Sequence, residues 1–172
     1  MSTGFSPLRV HDLLTRWHNS DQPALAGRDT QISYRQMLQQ ARRLATAMRT
    51  AGLQPGDRCA VYLPKGLEEC WAVFAVSMAG GVLVPVNPLL KAPQLAHICT
   101  DCEPTVLLTN DALQAAVVNP ALTGLAGAPQ VLTVEALATA EAQAADSGAA
   151  LPGDQRLSTD LAAILYTSGS TG

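Results

Sequence analysis

Apolar positions along the chain follow two spacings in turn, and this alternation predicts a mixture of helices and strands. Helical spacing predicts helices over residues 10–18, 67–79, 93–102 and 111–118, and a further helix between Ser33 and Gly52. Short, nearly continuous apolar runs predict strands over residues 58–63, 82–86, 105–109, 131–134 and 161–166. Residues 23–26 and 31–32, on either side of a turn at 27–29, are typical of a hairpin.

The helix after Ser33 has the clearest pattern. Gln36 stands three residues beyond Ser33, as a capping box requires. One face is apolar and the opposite face carries four arginines. The apolar face comprises Tyr34, Met37, Leu38, Ala41, Leu44, Ala45 and Met48. In the first helix, Leu13, Leu14 and Trp17 are likewise expected on one face.

The strand pattern predicts the fold class. Strands that are apolar on both faces and separated by helices indicate a parallel sheet with crossover connections. We therefore expect an α/β fold with a mostly parallel sheet flanked by helices. Residues 70–90 lack charged side chains and are long enough to cross a bilayer, but Gly80, Gly81, Pro85 and Pro88 interrupt them. A helix, a glycine turn and a buried strand fit this stretch better than a membrane span.

Composition narrows the function classes. Hydrophobic residues make up 48% of the chain, charged residues 15%, and the formal net charge is -3. Eleven basic residues spread along the chain do not form the basic surface that nucleic-acid binding needs. The first ten residues contain no apolar segment of the kind found in signal peptides, so we expect a cytoplasmic location.

The cysteines and histidines are predicted to be structural. Cys59, Cys70, Cys99 and Cys102 lie in apolar surroundings, which favours reduced and buried thiols. The spacing of Cys99 and Cys102 would suit zinc, but a structural zinc site needs four ligands. The other two cysteines lie on a different strand and helix, so we predict no metal site. The three histidines form no motif.

The chemistry-bearing motif follows the last predicted strand. It consists of Thr167, Ser168, Gly169, Ser170, Thr171 and Gly172. Small residues let backbone N–H groups approach a ligand closely, and the hydroxyls add donors, so the loop suits polyphosphate oxygens. Its spacing matches neither the Walker loop nor the dinucleotide fingerprint nor the serine hydrolase elbow. A flexible Gly/Ser linker is the alternative, although linkers do not usually follow a buried strand directly.

The segment from Leu161 to Gly172, Leu-Ala-Ala-Ile-Leu-Tyr-Thr-Ser-Gly-Ser-Thr-Gly, resembles the signature of AMP-forming acyl-CoA synthetases and related adenylate-forming ligases. Residues 32–37 and 78–88 resemble two weaker blocks of that family, in the right order, and residues 87–92 lean towards acyl-CoA ligases. The resemblance implies that residues 1–172 are the incomplete N-terminal part of the AMP-binding domain. The rest of that domain, the small C-terminal domain and the catalytic residues are then expected beyond Gly172.

The resemblance also implies a reaction. A carboxylic acid would be activated by ATP, with Mg²⁺, as an acyl-adenylate, and the acyl group would pass to a thiol such as coenzyme A. Residues 167–172 would hold the β- and γ-phosphates, and the fragment alone is expected to be inactive. Two alternatives remain open: an adenylation domain that loads a carrier protein, and a non-catalytic truncated scaffold domain. An uncovered apolar surface where the missing half packs would favour self-association.

Overall fold

The computed structural model describes residues 9–26, 30–143 and 160–167. It begins with the short helix α1 (Asp12–Thr15). The strands β1 (Pro23–Ala26) and β2 (Gln31–Ser33) then pair antiparallel. This pairing confirms the predicted hairpin, although the turn at 27–29 lies outside the described residues.

The main sheet has four parallel strands in the order β4-β3-β5-β6. In chain order these are β3 (Arg58–Val61), β4 (Val82–Pro85), β5 (Val106–Thr109) and β6 (Gln130–Thr133). Between them run α3 (Leu67–Met78), α4 (Ala92–Cys102), and the helical stretch α5 (Asp111–Leu113), a π-turn (Gln114–Val118) and α6 (Asn119–Leu122). The helix α7 (Val134–Gln143) follows β6. The predicted fold class is confirmed.

Two core clusters cover the two faces of this sheet. Alternate residues of a strand point to opposite faces. Cys59 and Val61 belong to the first cluster, which the helices α2 (Tyr34–Thr50) and α3 complete. Ala60 and Tyr62 belong to the second, which α4 and α6 complete. Because helices cover both faces, the middle residues of the strands are apolar on both sides of the sheet, as the sequence pattern indicates.

The capping box of α2 is present as predicted. Ser33 Oγ accepts a hydrogen bond from the Gln36 backbone N–H at 3.3 Å, and Gln36 Oε1 accepts one from the Ser33 N–H at 2.8 Å. Six of the seven residues predicted on the apolar face are buried: Met37, Leu38, Ala41, Leu44, Ala45 and Met48. The seventh, Tyr34, is half-buried and its ring lies 5.5 Å from the ring of Trp17.

The charge-free stretch over residues 70–90 forms most of α3, a glycine turn, β4 and the turn after β4. Gly80 has a φ of 77°, which favours glycine. At Gly81 a Cβ would lie 3.0 Å from Leu53 Cδ2, so a larger residue would crowd the core. In the part of the chain described here, no helix combines the length and the apolar character that a membrane crossing requires.

The first predicted helix is wrong in extent and in its buried face. It covers only Asp12–Thr15, and while Leu14 is buried, Leu13 is 53% exposed and Trp17 is 40% exposed. A single helical turn can direct few side chains towards the core. Trp17 lies beyond that turn and stacks on Tyr34 instead.

Candidate phosphate-binding segment

The structure describes the approach to the predicted phosphate loop and its first residue. Thr167 is exposed. Ser168, Gly169, Ser170, Thr171 and Gly172 lie outside the described residues. The observable part of the candidate site is therefore the segment 160–167, which we call the approach segment, together with the elements it contacts.

The approach segment runs beside β4 in the direction of the sheet strands. The Leu83 backbone N–H donates to the Ala162 carbonyl at 2.9 Å, and the Ile164 N–H donates to the Leu83 carbonyl at 2.8 Å. These two bonds form one parallel bridge between Leu83 and Ala163. The chain therefore passes the β4 edge heading towards the carboxyl ends of the strands, the side where open α/β sheets bind ligands.

The prediction of a buried strand over residues 161–166 is wrong. The pairing with β4 is a single bridge, Leu161 is 56% exposed and Leu165 is 70% exposed. Ile164 and Tyr166, two positions apart, are half-buried and pack against the second core cluster. The segment lies at the outer edge of the sheet, beside β4. Among the described elements, helices cover the face that carries Ile164 and Tyr166 and leave the other face exposed.

Tyr166 connects the approach segment to the last turn of α4. Its hydroxyl donates a hydrogen bond to the carboxylate of Asp101, a residue 65 positions earlier in the chain. Burial raises the pKa of Tyr166 well above its usual value, and the hydrogen bond to the Asp101 carboxylate raises it further. The hydroxyl therefore remains protonated, and able to donate, throughout the neutral range.

Arg58 fixes the end of α4 that carries Asp101. Its Nε donates to the Cys102 carbonyl at 2.7 Å and its Nη2 to the Glu103 carbonyl at 2.8 Å. These carbonyls are among those that a helix end leaves without intrahelical partners. The positive charge of a guanidinium at this position also interacts favourably with the negative end of the helix dipole. Because Arg58 belongs to β3, it joins α4 to the centre of the sheet.

Polar residues that follow the carboxyl ends of the strands have structural partners. Asn110 Oδ1 accepts from the Leu113 N–H at 2.8 Å and caps α5. Asn87 Oδ1 accepts from the Leu89 N–H at 3.0 Å in the turn after β4. The buried Tyr62 hydroxyl lies 2.7 Å from the Leu90 carbonyl, so it holds the same turn. These contacts fix the loops at the carboxyl ends of the strands, the end of the sheet towards which the approach segment runs.

Three of the four cysteines are buried in the core, as predicted, and the fourth packs against its edge. All four are free thiols; Cys59, Cys99 and Cys102 are buried and Cys70 is half-buried. Burial raises the pKa of Cys59 to about 12 and that of Cys99 to about 11, so both remain neutral. Cys59 belongs to the first core cluster and the pair Cys99 and Cys102 to the second. Across the described ranges, no three His, Cys, Asp or Glu side chains are grouped to hold a metal ion.

Sequence reasoning missed the two residues that support the approach segment, Asp101 and Arg58. Both contacts join residues more than 40 positions apart and depend on how α4 packs on the sheet. The only sequence feature that bears on these contacts is the apolar periodicity of α4, because it fixes the face that the helix presents to the sheet.

The family follows from comparison with known proteins. A family model described as "AMP-binding enzyme" matches residues 15–172. The chain belongs to the AMP-binding enzyme family. Its match includes both the approach segment and the hydroxyl- and glycine-rich loop.

Relatives of this AMP-binding chain differ in the thiol acceptor that their names give. A fatty acid–[acyl-carrier-protein] ligase, ScoC of Streptomyces coeruleorubidus, is 35% identical over 159 residues, 90% of this chain and 29% of that protein. The long-chain-fatty-acid–CoA ligase FadD13 of Mycobacterium tuberculosis (strain CDC 1551 / Oshkosh) is 31% identical over 152 residues, 84% of this chain and 28% of that protein. The chain thus spans less than a third of the length of either relative.

A solved structure supports the AMP-binding fold. The ATP-bound structure of MatB from Rhodopseudomonas palustris superposes with a TM-score of 0.81 at 30% identity, covering 97% of this chain and 33% of that one. Family membership and this likeness confirm the resemblance noted in the sequence and the fold it implies.

Proposed function

We propose that the full-length protein is an ATP-dependent ligase that activates a carboxylic acid as an acyl-adenylate and transfers the acyl group to a thiol, coenzyme A in the first instance. The observation that carries this proposal is the family match over residues 15–172, which includes the predicted phosphate loop. A cytoplasmic location is part of the proposal, supported by the four free thiols, since reducing compartments maintain them.

The first half-reaction forms a bond between a carboxylate oxygen of the acid and the α-phosphorus of ATP. The bond from that phosphorus to the bridging oxygen breaks, and pyrophosphate leaves. In the second half-reaction the thiol sulfur attacks the acyl carbon, the thiol proton is lost, and AMP departs with the electron pair. The protein's contribution to the first step is positioning and charge stabilisation.

We assign the β- and γ-phosphates to Thr167, Ser168, Gly169, Ser170, Thr171 and Gly172. Their chemistry fits: four hydroxyls and six backbone N–H groups are donors, and glycines allow a phosphate to approach the main chain. The bridge at Ala163 supports the assignment, because it directs the chain towards the carboxyl ends of the strands. Mg²⁺ would enter with ATP and neutralise phosphate charge, and we assign it no ligand among the described residues.

A carrier protein is the second candidate acceptor. It is favoured by ScoC, whose name specifies an acyl carrier protein and which is 35% identical to this chain. The choice between the two acceptors affects only the second half-reaction. The two can therefore be tested separately from adenylation.

Adenylation is tested by ATP–pyrophosphate exchange in the full-length protein with a panel of carboxylic acids. Thr167→Ala and Ser170→Ala are expected to lower kcat/KM for ATP about tenfold, because each removes a donor to a charged oxygen. Thr139→Ala is the matched control, since the exposed Thr139 hydroxyl bonds only its own helix, to the Glu135 carbonyl. Equal exchange in all three variants would refute the loop assignment. Product analysis with coenzyme A and with a phosphopantetheinylated carrier protein then identifies the acceptor.

A further inference from the structure

The approach segment has an outer edge and one face that none of the described elements covers. Ala163 pairs with Leu83 of β4 on one side, and on its other side the described part of the sheet has no further strand. We propose that, in the full-length protein, the chain beyond residue 172 covers both: a helix packs on the exposed face and a parallel strand pairs with the outer edge. This inference rests on the proposed function only for the existence of that longer chain.

The exposed face carries two leucines. Leu161 is 56% exposed and Leu165 is 70% exposed. They lie two positions before and after Ala163, and alternate side chains of an extended chain share a face. Leu83, the partner of Ala163, packs against the first core cluster, so this face lies on the same side of the sheet as α3. Burying one leucine side chain contributes about 1.5–3 kcal/mol, so the pair favours a cover.

The outer edge of the approach segment presents backbone groups that can pair with a strand. The two hydrogen bonds to β4 use the Ala162 carbonyl and the Ile164 N–H. Because the backbone groups of successive residues point to opposite edges of a strand, the N–H and the carbonyl of Ala163 point away from β4. An edge of this kind is a template for a further strand. The sheet can therefore grow outward from the approach segment.

The connections of the described sheet show on which side the next helix packs. From β3 to β4 the chain moves towards the approach segment, and α3 packs against the first core cluster. From β4 to β5 and from β5 to β6 it moves the other way, and α4 and α6 pack against the second cluster. These connections share one hand, and parallel crossovers are right-handed in about 98% of cases. A crossover that continues outward with this hand places its helix on the side of α3.

Topology and exposure thus select the same face of the approach segment. Ile164 and Tyr166 already pack against the second core cluster on one side, and Leu161 and Leu165 lie on the side that the crossover helix reaches. The sequence agrees, because residues 161–166 are apolar on both faces, a pattern typical of strands covered on both sides. The relatives contain the length that such a cover needs, since this chain spans 29% of ScoC and 28% of FadD13.

The first test measures accessibility in the full-length protein without ATP. Leu161→Cys and Leu165→Cys are labelled with a maleimide, and peptide mass spectrometry separates the labelled sites from the native thiols. Each variant should be labelled roughly 100-fold more slowly when folded than when unfolded in urea, because a covered thiol reacts only after local opening. Leu13→Cys is the matched control, since Leu13 is 53% exposed on α1, and folding should slow its labelling by less than about tenfold.

Photo-crosslinking identifies the cover without any substitution of the sequence. A diazirine analogue replaces leucine throughout the full-length protein, and links from Leu161 and Leu165 are mapped by mass spectrometry. Links to residues after 172 that are spaced three or four apart, as on one face of a helix, support the proposal in a protein that light scattering shows to be monomeric. Links to residues before 160, or protection that is lost on dilution to monomers, assign the cover to another segment or to a second copy and refute it.

The outcomes separate this proposal from the proposed function. If Leu161→Cys and Leu165→Cys are labelled as fast when folded as when unfolded, the face is open and the proposal is refuted, while pyrophosphate exchange by the same protein leaves the proposed function standing. A full-length protein that exchanges pyrophosphate with no acid overturns the proposed function. Slow labelling and links to residues after 172 in that protein would still support the cover, because neither measurement depends on ATP.

Discussion

Replacing Arg58 by alanine should loosen the end of α4 in a measurable way. The variant removes two hydrogen bonds from a charged donor, to the carbonyls of Cys102 and Glu103 at 2.7 and 2.8 Å. Bonds of this type contribute about 1.5–3 kcal/mol each when well buried. The Arg58 side chain is 32% exposed, so we expect the loss of the two hydrogen bonds together to lower the local stability of the end of α4 by about 2 kcal/mol.

Hydrogen–deuterium exchange of the full-length protein measures this effect locally. A loss of about 2 kcal/mol corresponds to a roughly 30-fold faster exchange of the amides in the last turn of α4. Arg58→Lys keeps the charge but not the two-pronged guanidinium, so it should give an intermediate increase of roughly fivefold.

A matched control isolates the carbonyl contacts from the ion pair of the same residue. Arg58 Nη2 lies 3.8 Å from Glu103 Oε2, and the Glu103 side chain is 80% exposed. Exposed ion pairs contribute little, so Glu103→Gln should change exchange by less than about twofold. If Arg58→Ala changes exchange of α4 by less than about threefold, or if Glu103→Gln has the larger effect, the reasoning is wrong.

Three further predictions concern stability and thiol chemistry. Glu103→Gly should stabilise α4 by about 0.5–1 kcal/mol, because Glu103 has a φ of 43° at the helix C-cap; slower amide exchange in α4 would show it. Ser33→Ala should destabilise α2 by about 1 kcal/mol through loss of its cap, seen as faster exchange in the first turn, whereas unchanged exchange would contradict the capping box. The pKa of Cys59 rises from 9.0 to about 12 on folding, so the protonated thiol contributes fully to the free energy of unfolding below pH 9.0, and that contribution is lost as the pH rises towards about 12. The free energy of unfolding in urea should therefore fall less steeply with alkaline pH in Cys59→Ala than in the wild type.

The parts of the fold that depend on local pattern could be predicted from the sequence. The capping box of Ser33 and Gln36 and the buried face of α2 follow from spacing alone. The four sheet strands follow from short apolar runs, because a strand with helices on both faces has no polar side.

The parts that depend on tertiary contacts could not be predicted. The helix predicted to end at residue 118 continues to Leu122, because Pro120 is accommodated in the first turn of α6 after a π-turn. An apolar run at 161–166 looks the same in sequence whether it lies inside a sheet or at its edge. The partner of Tyr166 depends on where α4 ends in space, which no local pattern encodes.

The body of the fold and the approach segment are stabilised by different interactions, so different experiments test the two. The body is held by two clusters of buried apolar side chains, so substitutions there change the free energy of unfolding. The contacts of the approach segment include one backbone bridge, the Tyr166–Asp101 hydrogen bond and the packing of Ile164 and Tyr166. Phenylalanine in place of Tyr166 keeps the packed ring and removes only the hydroxyl. An unchanged melting temperature of this variant would therefore show that the hydroxyl contact is not part of what holds the core together.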